Sequence, residues 1–365
     1  MMPANREISL TQETVRYHWN NVPEVKYDNW LRLRGERNIF DTENFTAQGY
    51  PWMLQIEPTN LCNLSCPFCP SGRKEDPDKR RRHMTLKEFR SIIDDMERYL
   101  LFAVLWDWGE PFMNPELPEM IRYTSAHDVR TSTCTNGHFL QDEAYVERIL
   151  NSGLSTLVVA IDSLNEENYL RHRTGGDLAK AVSGLEKLVE LKKRVNSKTL
   201  IDLRMVVMKD NEKELPEMIG FARKIRVDKF TVKTVNPGCG VTSMDGDGIP
   251  ENPECRQEAG CTKVWKMANV LANGDVVPCC YDFSAEMKVG NINEKPLTRI
   301  WNGPEYRELR KNIFFKKKRN LKCRVCTVSY PLAVGARFPG RRDFHAGAIR
   351  QATDYIYKLR KFVLQ

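Results

Sequence analysis

Six short apolar runs, Met53 to Glu57, Phe102 to Trp106, Arg130 to Thr135, Thr156 to Ile161, Leu200 to Val207 and Lys229 to Val235, alternate with longer amphipathic stretches. Strand-sized runs followed by helix-sized stretches predict repeated βα units, and so a parallel sheet covered by helices. Leu86, Phe89, Ile93 and Met96 fall at helical spacing, and Thr85 with Glu88 makes a capping box at the start of that helix. Further helices are expected at about 117–126, 141–152, 178–195, 212–225 and 305–313. Parallel strands joined by helices either lie open or curve toward a barrel, and the pattern allows both. In both cases the chemistry gathers in the loops after the strands.

The loop after the first run holds Cys62, Cys66 and Cys69 among Pro and Asn residues. Thiolates at i, i+4 and i+7 can wrap one inorganic cluster. With three ligands, one iron of a [4Fe–4S] cube stays open to a small chelating molecule. Structural zinc normally wants four closed ligands, and neither zinc nor buried structural thiols explain a local set of three.

The loop after the second run is Trp108-Gly109-Glu110-Pro111, where a glycine lets backbone approach a ligand and Glu110 can accept from an ammonium. After the third comes Asn136-Gly137, suited to a tight turn, and after the fourth Asp162-Ser163, whose carboxylate and hydroxyl suit ribose hydroxyls. Arg171 and Arg173 follow, either able to clamp a carboxylate in two-point fashion. Met208 and Asn211 are weaker candidates near an adenine or ribose, with Met208 better read as core.

Beyond the sixth run, a Gly-, Asp- and Pro-rich linker marks a boundary. Val264 to Leu271 and Asp275 to Cys279 then flank Asn273-Gly274, the strongest short hairpin signal, which should bring Cys261 and Cys279 together at its open end. Cys323 and Cys326 complete a set of four thiolates. Spacing alone leaves zinc and a full [4Fe–4S] cluster equally open. Cys280 is a near-equivalent of Cys279, Cys134 reads as core, and Cys255 has no partners for another cluster. Cys239, between glycines at the sheet's rim, is a candidate catalytic thiol able to return a hydrogen atom to a substrate.

The C-x3-C-x2-C spacing with Phe68 before its last Cys resembles the signature of the radical S-adenosylmethionine (SAM) superfamily, and the likeness extends from about Trp52 to Cys326. It implies an α/β fold, a partial (β/α)6 barrel, in which Cys62, Cys66 and Cys69 hold a [4Fe–4S] cluster. SAM chelates the open iron and is cleaved to methionine and a 5′-deoxyadenosyl radical that abstracts hydrogen. Gly109, Glu110 and Pro111 are similar to the superfamily's GGEP motif, which contacts the SAM amino group; Trp108 stands where that motif usually has its first glycine. Asn136, Asp162 and Ser163 resemble cofactor-lining positions, and a Y-x3-R-x-G likeness favours Arg173 for the methionine carboxylate. Asn273-Gly274-Asp275, Pro278-Cys279, Gly290-Asn291-Ile292 and Trp301-Asn302 resemble the SPASM/twitch extension. In its shorter twitch form, that extension implies one auxiliary [4Fe–4S] cluster on Cys261, Cys279, Cys323 and Cys326, with Cys279 preferred because it directly follows the proline. The organisation expected is an extension at 1–50, a barrel at 51–238, a linker at 239–253, a cluster domain at 254–330 and a tail at 331–365.

The start, Met1 to Leu10, has no apolar signal core and no run spans a bilayer, so a soluble cytoplasmic protein is expected, with its 11 cysteines as metal ligands and buried thiols. The net charge of +8, with runs at Lys79 to Arg82 and Lys316 to Arg319, comes without any RNA-binding signature; nucleic acid is not an expected partner. The resemblance implies an oxidoreductase that abstracts hydrogen from a small polar substrate, anionic or sugar-like, with the auxiliary cluster taking up an electron. It also implies a reductant such as flavodoxin or ferredoxin. The alternatives are a radical epimerase using Cys239, a peptide maturase, for which residues 1–50 are too few to form an independent peptide-binding domain, and an iron–sulfur electron carrier.

Overall fold

In the computed structural model, which describes residues 6–10, 13–17, 22–34, 41, 43–73, 81–208, 210–234, 261, 263–316 and 323, each of the six apolar runs is a strand. They are β3 (Met53–Ile56), β4 (Phe102–Val104), β5 (Arg130–Thr135), β6 (Thr156–Ala160), β7 (Leu200–Val207) and β8 (Lys229–Thr234), preceded by a hairpin, β1 (Arg6–Leu10) with β2 (Glu13–Tyr17). From β3 to β8 they pair in sequence order, all parallel. The main helices are α1 (Glu24–Arg34), α2 (Pro70–Arg73), α3 (Leu86–Met96), α4 (Leu117–Ala126), α5 (Glu143–Leu150), α6 (Glu166–His172), α7 (Leu178–Arg194) and α8 (Leu215–Ile225). The expected α/β fold with a parallel sheet is met. The N-terminal hairpin was not anticipated; Arg6–Leu10 and Glu13–Tyr17 are polar-rich and lack the Asn-Gly or Asp-Gly turn that announces such a pair.

Helix starts follow local chemistry. Thr85 and Glu88 close their capping box in both directions, and Asp142, Asn165 and Asp177 cap α5, α6 and α7 through side-chain oxygens. Alternation along the strands then sorts the two sheet faces. Leu54, Ile56, Ala103, Leu157, Val159, Ile201, Leu203 and Met205 pack with Phe89, Ile93, Met120, Ile149, Leu185 and Met218 of the helices in one core. Gln55, Ser132, Cys134, Arg204 and Lys233, on the opposite parity, line the concave side. Cys134 was expected in the core. Its neighbours Thr133 and Thr135 lie in register with Leu157 and Val159 on the helix side, so Cys134 turns inward instead and is half-buried.

The concave side is plugged at the N-terminal ends of the strands. Val22 and Trp30 pack there against Met53, Phe102, Val104 and Met267. The helix α1 that carries Trp30 is anchored by Lys26, whose buried ammonium donates to the carbonyls of His127 (3.0 Å) and Asp128 (3.2 Å) after α4.

After the barrel, β9 (Met267–Val270) and β10 (Asp275–Val277) form the hairpin around Gly274, whose φ of +86° suits glycine; β11 (Gly290–Asn291) adds a third strand. The first arm is shorter than the run Val264 to Leu271, because Lys263–Trp265 forms a 3-10 turn. β9 pairs in parallel with β3, Leu54 opposite Ala268 and Ile56 opposite Val270, so the hairpin continues the barrel's own sheet. Behind it lie α9 (Leu297–Trp301) and α10 (Pro304–Lys316). Arg310 of α10 is fully buried and donates to the carbonyls of Val264 (3.0 Å) and Phe45 (3.1 Å) and to Asn302 Oδ1 (2.9 Å). Its guanidinium lies 4.4 Å from the Tyr306 ring centre and 4.5 Å from that of Trp301. Burial lowers Arg310 to about 10, against the opposing pull of Tyr306. Arg310→Met should strand three buried acceptors and cost about 3 kcal/mol, read as a lower urea midpoint of the whole chain.

Candidate active site

Backbone contacts assemble the site at the C-terminal ends of the strands. The loop carrying Cys62, Cys66 and Cys69 accepts the amide of Glu110 on the Leu61 carbonyl (2.7 Å), and its own Ser65 amide donates to the Thr174 carbonyl (2.9 Å). Gly109 presses on the same loop: a Cβ there would stand 2.0 Å from the Thr59 carbonyl oxygen. Asn136 completes the junction. Its amide donates to Glu110 Oε2 (2.8 Å) and its carboxamide to Asn63 Oδ1 (2.8 Å). Loops after β3, β4 and β5 are thus bound into one floor. Phe68 lies in the same loop with its ring 5.6 Å from that of His172 at the end of α6.

The charges on this floor are buried. Glu110 accepts from the amides of Asn136 and Phe112, yet burial outweighs them and pushes its carboxyl up to about 7. Asp162 takes Arg173 Nε on one oxygen (2.7 Å) and the Val206 amide on the other (2.9 Å). Burial alone would lower Arg173, but Asp162 and Cys66 more than offset it, so the guanidinium stays protonated beside the cysteine loop. Asp162 therefore holds Arg173 and the end of β7, leaving little for a ribose. Ser163 is turned away from the floor: its hydroxyl bonds Glu214 and the Asn165 carbonyl and accepts from the Asn165 amide (2.9 Å). In this placement the one Ser163 proton is engaged within the protein. Arg171 pairs with Glu167 and Asp210 on the surface, while Asn211 donates to the Asp162 and Val206 carbonyls, a brace between two loops.

Cys62 is pushed up to about 12 by burial, with Glu110, Cys69 and Cys66 adding to the rise, and burial also raises Cys66. Three thiols that repel one another's ionisation suit a cationic cluster that binds them as thiolates. Among the described residues no three His, Cys, Asp or Glu side chains close on a point for a single metal ion. A cubane takes each thiolate on a different iron, so its ligands stand apart.

Of the second cysteine set, Cys261, Cys279 and Cys323 lie among the described residues. Burial raises Cys279 well above the ordinary thiol value, with Cys280 and Cys261 adding to it, and Cys261 and Cys323 pack at the edge of the same core. Cys280 has Lys263 Nζ 4.0 Å from its sulfur. Cys326, Cys239 and Cys255 lie outside the described residues, as do the linker at 239–253, the tail at 331–365, Lys79, Arg80 and most of the run at Lys316 to Arg319.

Sequence reasoning passed over four inward groups, Gln55, Asp107, Ser132 and Asn269. Gln55 Nε2 donates to Asp107 Oδ1 (3.2 Å) and Asn269 Nδ2 to Asp107 Oδ2 (3.4 Å). Asn269 Oδ1 and Ser132 Oγ are buried with no hydrogen-bond partner among the described residues. The available signal was a polar residue inside an apolar strand run, Gln55 in the first and Asn269 in the hairpin arm.

Residues 56–222 match the radical SAM superfamily and residues 261–327 the SPASM iron–sulfur cluster-binding domain. The chain carries a radical SAM domain followed by a SPASM domain. It is 28% identical over 296 residues to the tungsten-containing aldehyde ferredoxin oxidoreductase cofactor-modifying protein of Pyrococcus furiosus, covering 69% of this chain and 81% of that one. It is 23% identical to the PqqA peptide cyclase of Granulibacter bethesdensis over 76% of this chain and 79% of that one. SuiB of Streptococcus suis bound to precursor peptide SuiA superposes with a TM-score of 0.60 at 18% identity, over 78% of this chain and 71% of that one, a likeness of fold. A radical SAM domain binds a [4Fe–4S] cluster and SAM, and a SPASM domain binds auxiliary iron–sulfur clusters. No helix among the described residues is long and apolar enough to cross a membrane.

In this radical SAM chain, Gly109→Ala should force the Cys62–Cys69 loop off its seat. Because backbone is the obstacle, the expected loss is about 3 kcal/mol or more, together with failure to retain iron, read by urea titration and iron analysis after anaerobic reconstitution.

Proposed function

We propose that this enzyme dehydrogenates a small polar substrate, hydroxyl- or amine-bearing, seated at the barrel mouth between the two cysteine sets. The observation that carries the reading is the inward trio Gln55, Asp107 and Asn269, with the Asn269 carboxamide oxygen buried and lacking a partner among the described residues. A buried acceptor of this kind costs about 1–3 kcal/mol unless something donates to it, so a substrate hydroxyl or amine is the fitting occupant. When bound, the cluster on Cys62, Cys66 and Cys69 with SAM supplies a hydrogen-abstracting radical, and that on Cys261, Cys279, Cys323 and Cys326 an electron acceptor.

The protein's own groups do the rest. Glu110, whose hydrogen-bond donors among the described residues are neutral amides, suits the SAM ammonium, and Arg173, steadied by Asp162, suits its carboxylate. Asp107, held on both oxygens by amides, is placed to take the proton that leaves a substrate hydroxyl. Oxidation of an alcohol to a carbonyl then balances as one hydrogen atom, one electron and one proton. A flavodoxin or ferredoxin is the fitting reductant. The relatives named for a peptide or for an oxidoreductase's cofactor favour a second reading, modification of a larger substrate by the same chemistry.

Anaerobic incubation with SAM, reductant and deuterated candidate alcohols or amines should transfer deuterium into 5′-deoxyadenosine and yield a product two hydrogens lighter. Asp107→Asn should keep SAM cleavage and lose product at least tenfold. Formation of 5′-deoxyadenosine with no candidate ever labelling it would overturn the small-substrate reading. SAM affinity should also carry the mark of Glu110. A carboxyl raised to about 7 is largely protonated at pH 6 and must lose that proton to meet an ammonium. Binding to the reconstituted enzyme should therefore tighten up to about tenfold per unit as pH rises toward 7, then level off. Glu110→Gln should be weak and flat across that range in equilibrium dialysis.

A further inference from the structure

Trp108 is the residue where this chain departs from the glycine usual in the motif, and it touches Cys69 of the first cysteine set and the backbone next to Cys279 of the second. Its carbonyl oxygen lies 3.7 Å from Cys69 Sγ. Its indole reaches the other way: Nε1 donates to the Cys280 carbonyl at 2.7 Å, and its ring meets the Phe283 ring edge-on with centres 5.9 Å apart. The next two residues, Gly109 and Glu110, form the floor proposed for SAM, and Cys280 directly follows the ligand Cys279. A glycine at position 108 has no side chain to span this gap.

We propose that Trp108 is a positioning residue that couples the SAM site to the auxiliary-cluster site, transmitting occupancy of the Gly109–Glu110 floor to the Cys279–Phe283 loop. The inference rests on the assignment of clusters to both cysteine sets, not on the identity of the substrate. A rigid bicyclic ring fixed at its backbone by the cysteine loop, and at its tip by a hydrogen bond, passes on small displacements that a flexible chain absorbs. The groups around a cluster's ligands tune its potential, so movement of the Cys280 carbonyl beside Cys279 should be read out there. The same bond orients the Cys280 carbonyl toward Trp108, which favours Cys279 as the fixed ligand of the pair.

The test uses full-length protein reconstituted to both clusters, with iron analysis as the first check. If the chain does not hold two clusters, the cluster assignment fails before the coupling is examined. The midpoint potential of the auxiliary cluster is titrated by electron paramagnetic resonance with and without SAM. In the natural protein SAM should shift that potential; in Trp108→Phe, which keeps a ring but loses the N–H, the shift should vanish while SAM is still bound. Hydrogen–deuterium exchange in segment 279–283 should rise in the same variant. An unmoved potential in the natural protein, or a full shift retained in Trp108→Phe, would sink the proposal. Should that variant not hold both clusters, Phe283→Ala serves instead, since it loosens the indole without touching a ligand. A reduced shift is expected there, and an undiminished one counts against the coupling.

Discussion

The site depends on a seam where two stretches of backbone meet with no side chain between them. Gly109 lies against the Thr59 carbonyl, and the Glu110 amide is bonded to the Leu61 carbonyl. Every later feature is measured from that seam. It fixes the cysteine loop relative to β4, it delivers the Glu110 carboxylate to the Asn136 amide of the next strand's loop, and it sets the backbone from which the Trp108 indole reaches the Cys280 carbonyl. Close backbone contacts are stiff because each atom sits at van der Waals distance with no rotamer to relax into. A site that must hold three thiols around a cluster, and a charged cofactor beside it, gains more from such stiffness than from any one added hydrogen bond.

The electrostatics of this floor are arranged around occupants of opposite charge. Glu110 is buried and held up near neutrality, while Arg173 is buried and kept charged by Asp162. The first accepts on both oxygens from neutral amides, while the second is met by a carboxylate. On the proposed assignment, a zwitterionic ligand would meet one group that changes state on binding and one that does not, making ammonium recognition the pH-sensitive half of the contact.

Much of this was legible from local pattern. The strands Arg130–Thr135 and Leu200–Val207 and the helix Leu117–Ala126 begin and end where the apolar runs and amphipathic spacing place them, because burial on one face dictates both. The cysteine spacing and the residues of the strand-end loops were also visible, since short polar motifs punctuate the runs. What was hidden depended on contacts far apart in sequence. The pairing of β9 with β3 joins residues more than two hundred positions apart, and nothing in Met267–Val270 names its partner. The inward turn of Cys134 was set by the parity of its neighbours, which becomes readable once the helix side of the sheet is known. Ser163 looked available because its acceptor, Glu214, lies some fifty residues downstream. In the sequence Trp108 is a departure from the glycine usual in a motif, and its reach to Cys280 needed the fold.

The parallel joint between β3 and β9 has a consequence for how this chain can be divided. A strand whose two sides are both bonded offers nothing for another molecule to add to; remove its neighbour and a row of amides and carbonyls is left open. Cutting away the C-terminal part to obtain a minimal catalytic body would bare that row along Met53–Ile56, beside the cysteine loop and above the aromatic plug around Trp30. The excised body would be a template for strand addition, prone to self-association at the very edge that carries its metal loop. The two matched domains are, in mechanical terms, one sheet and should be inherited, expressed and engineered as one piece.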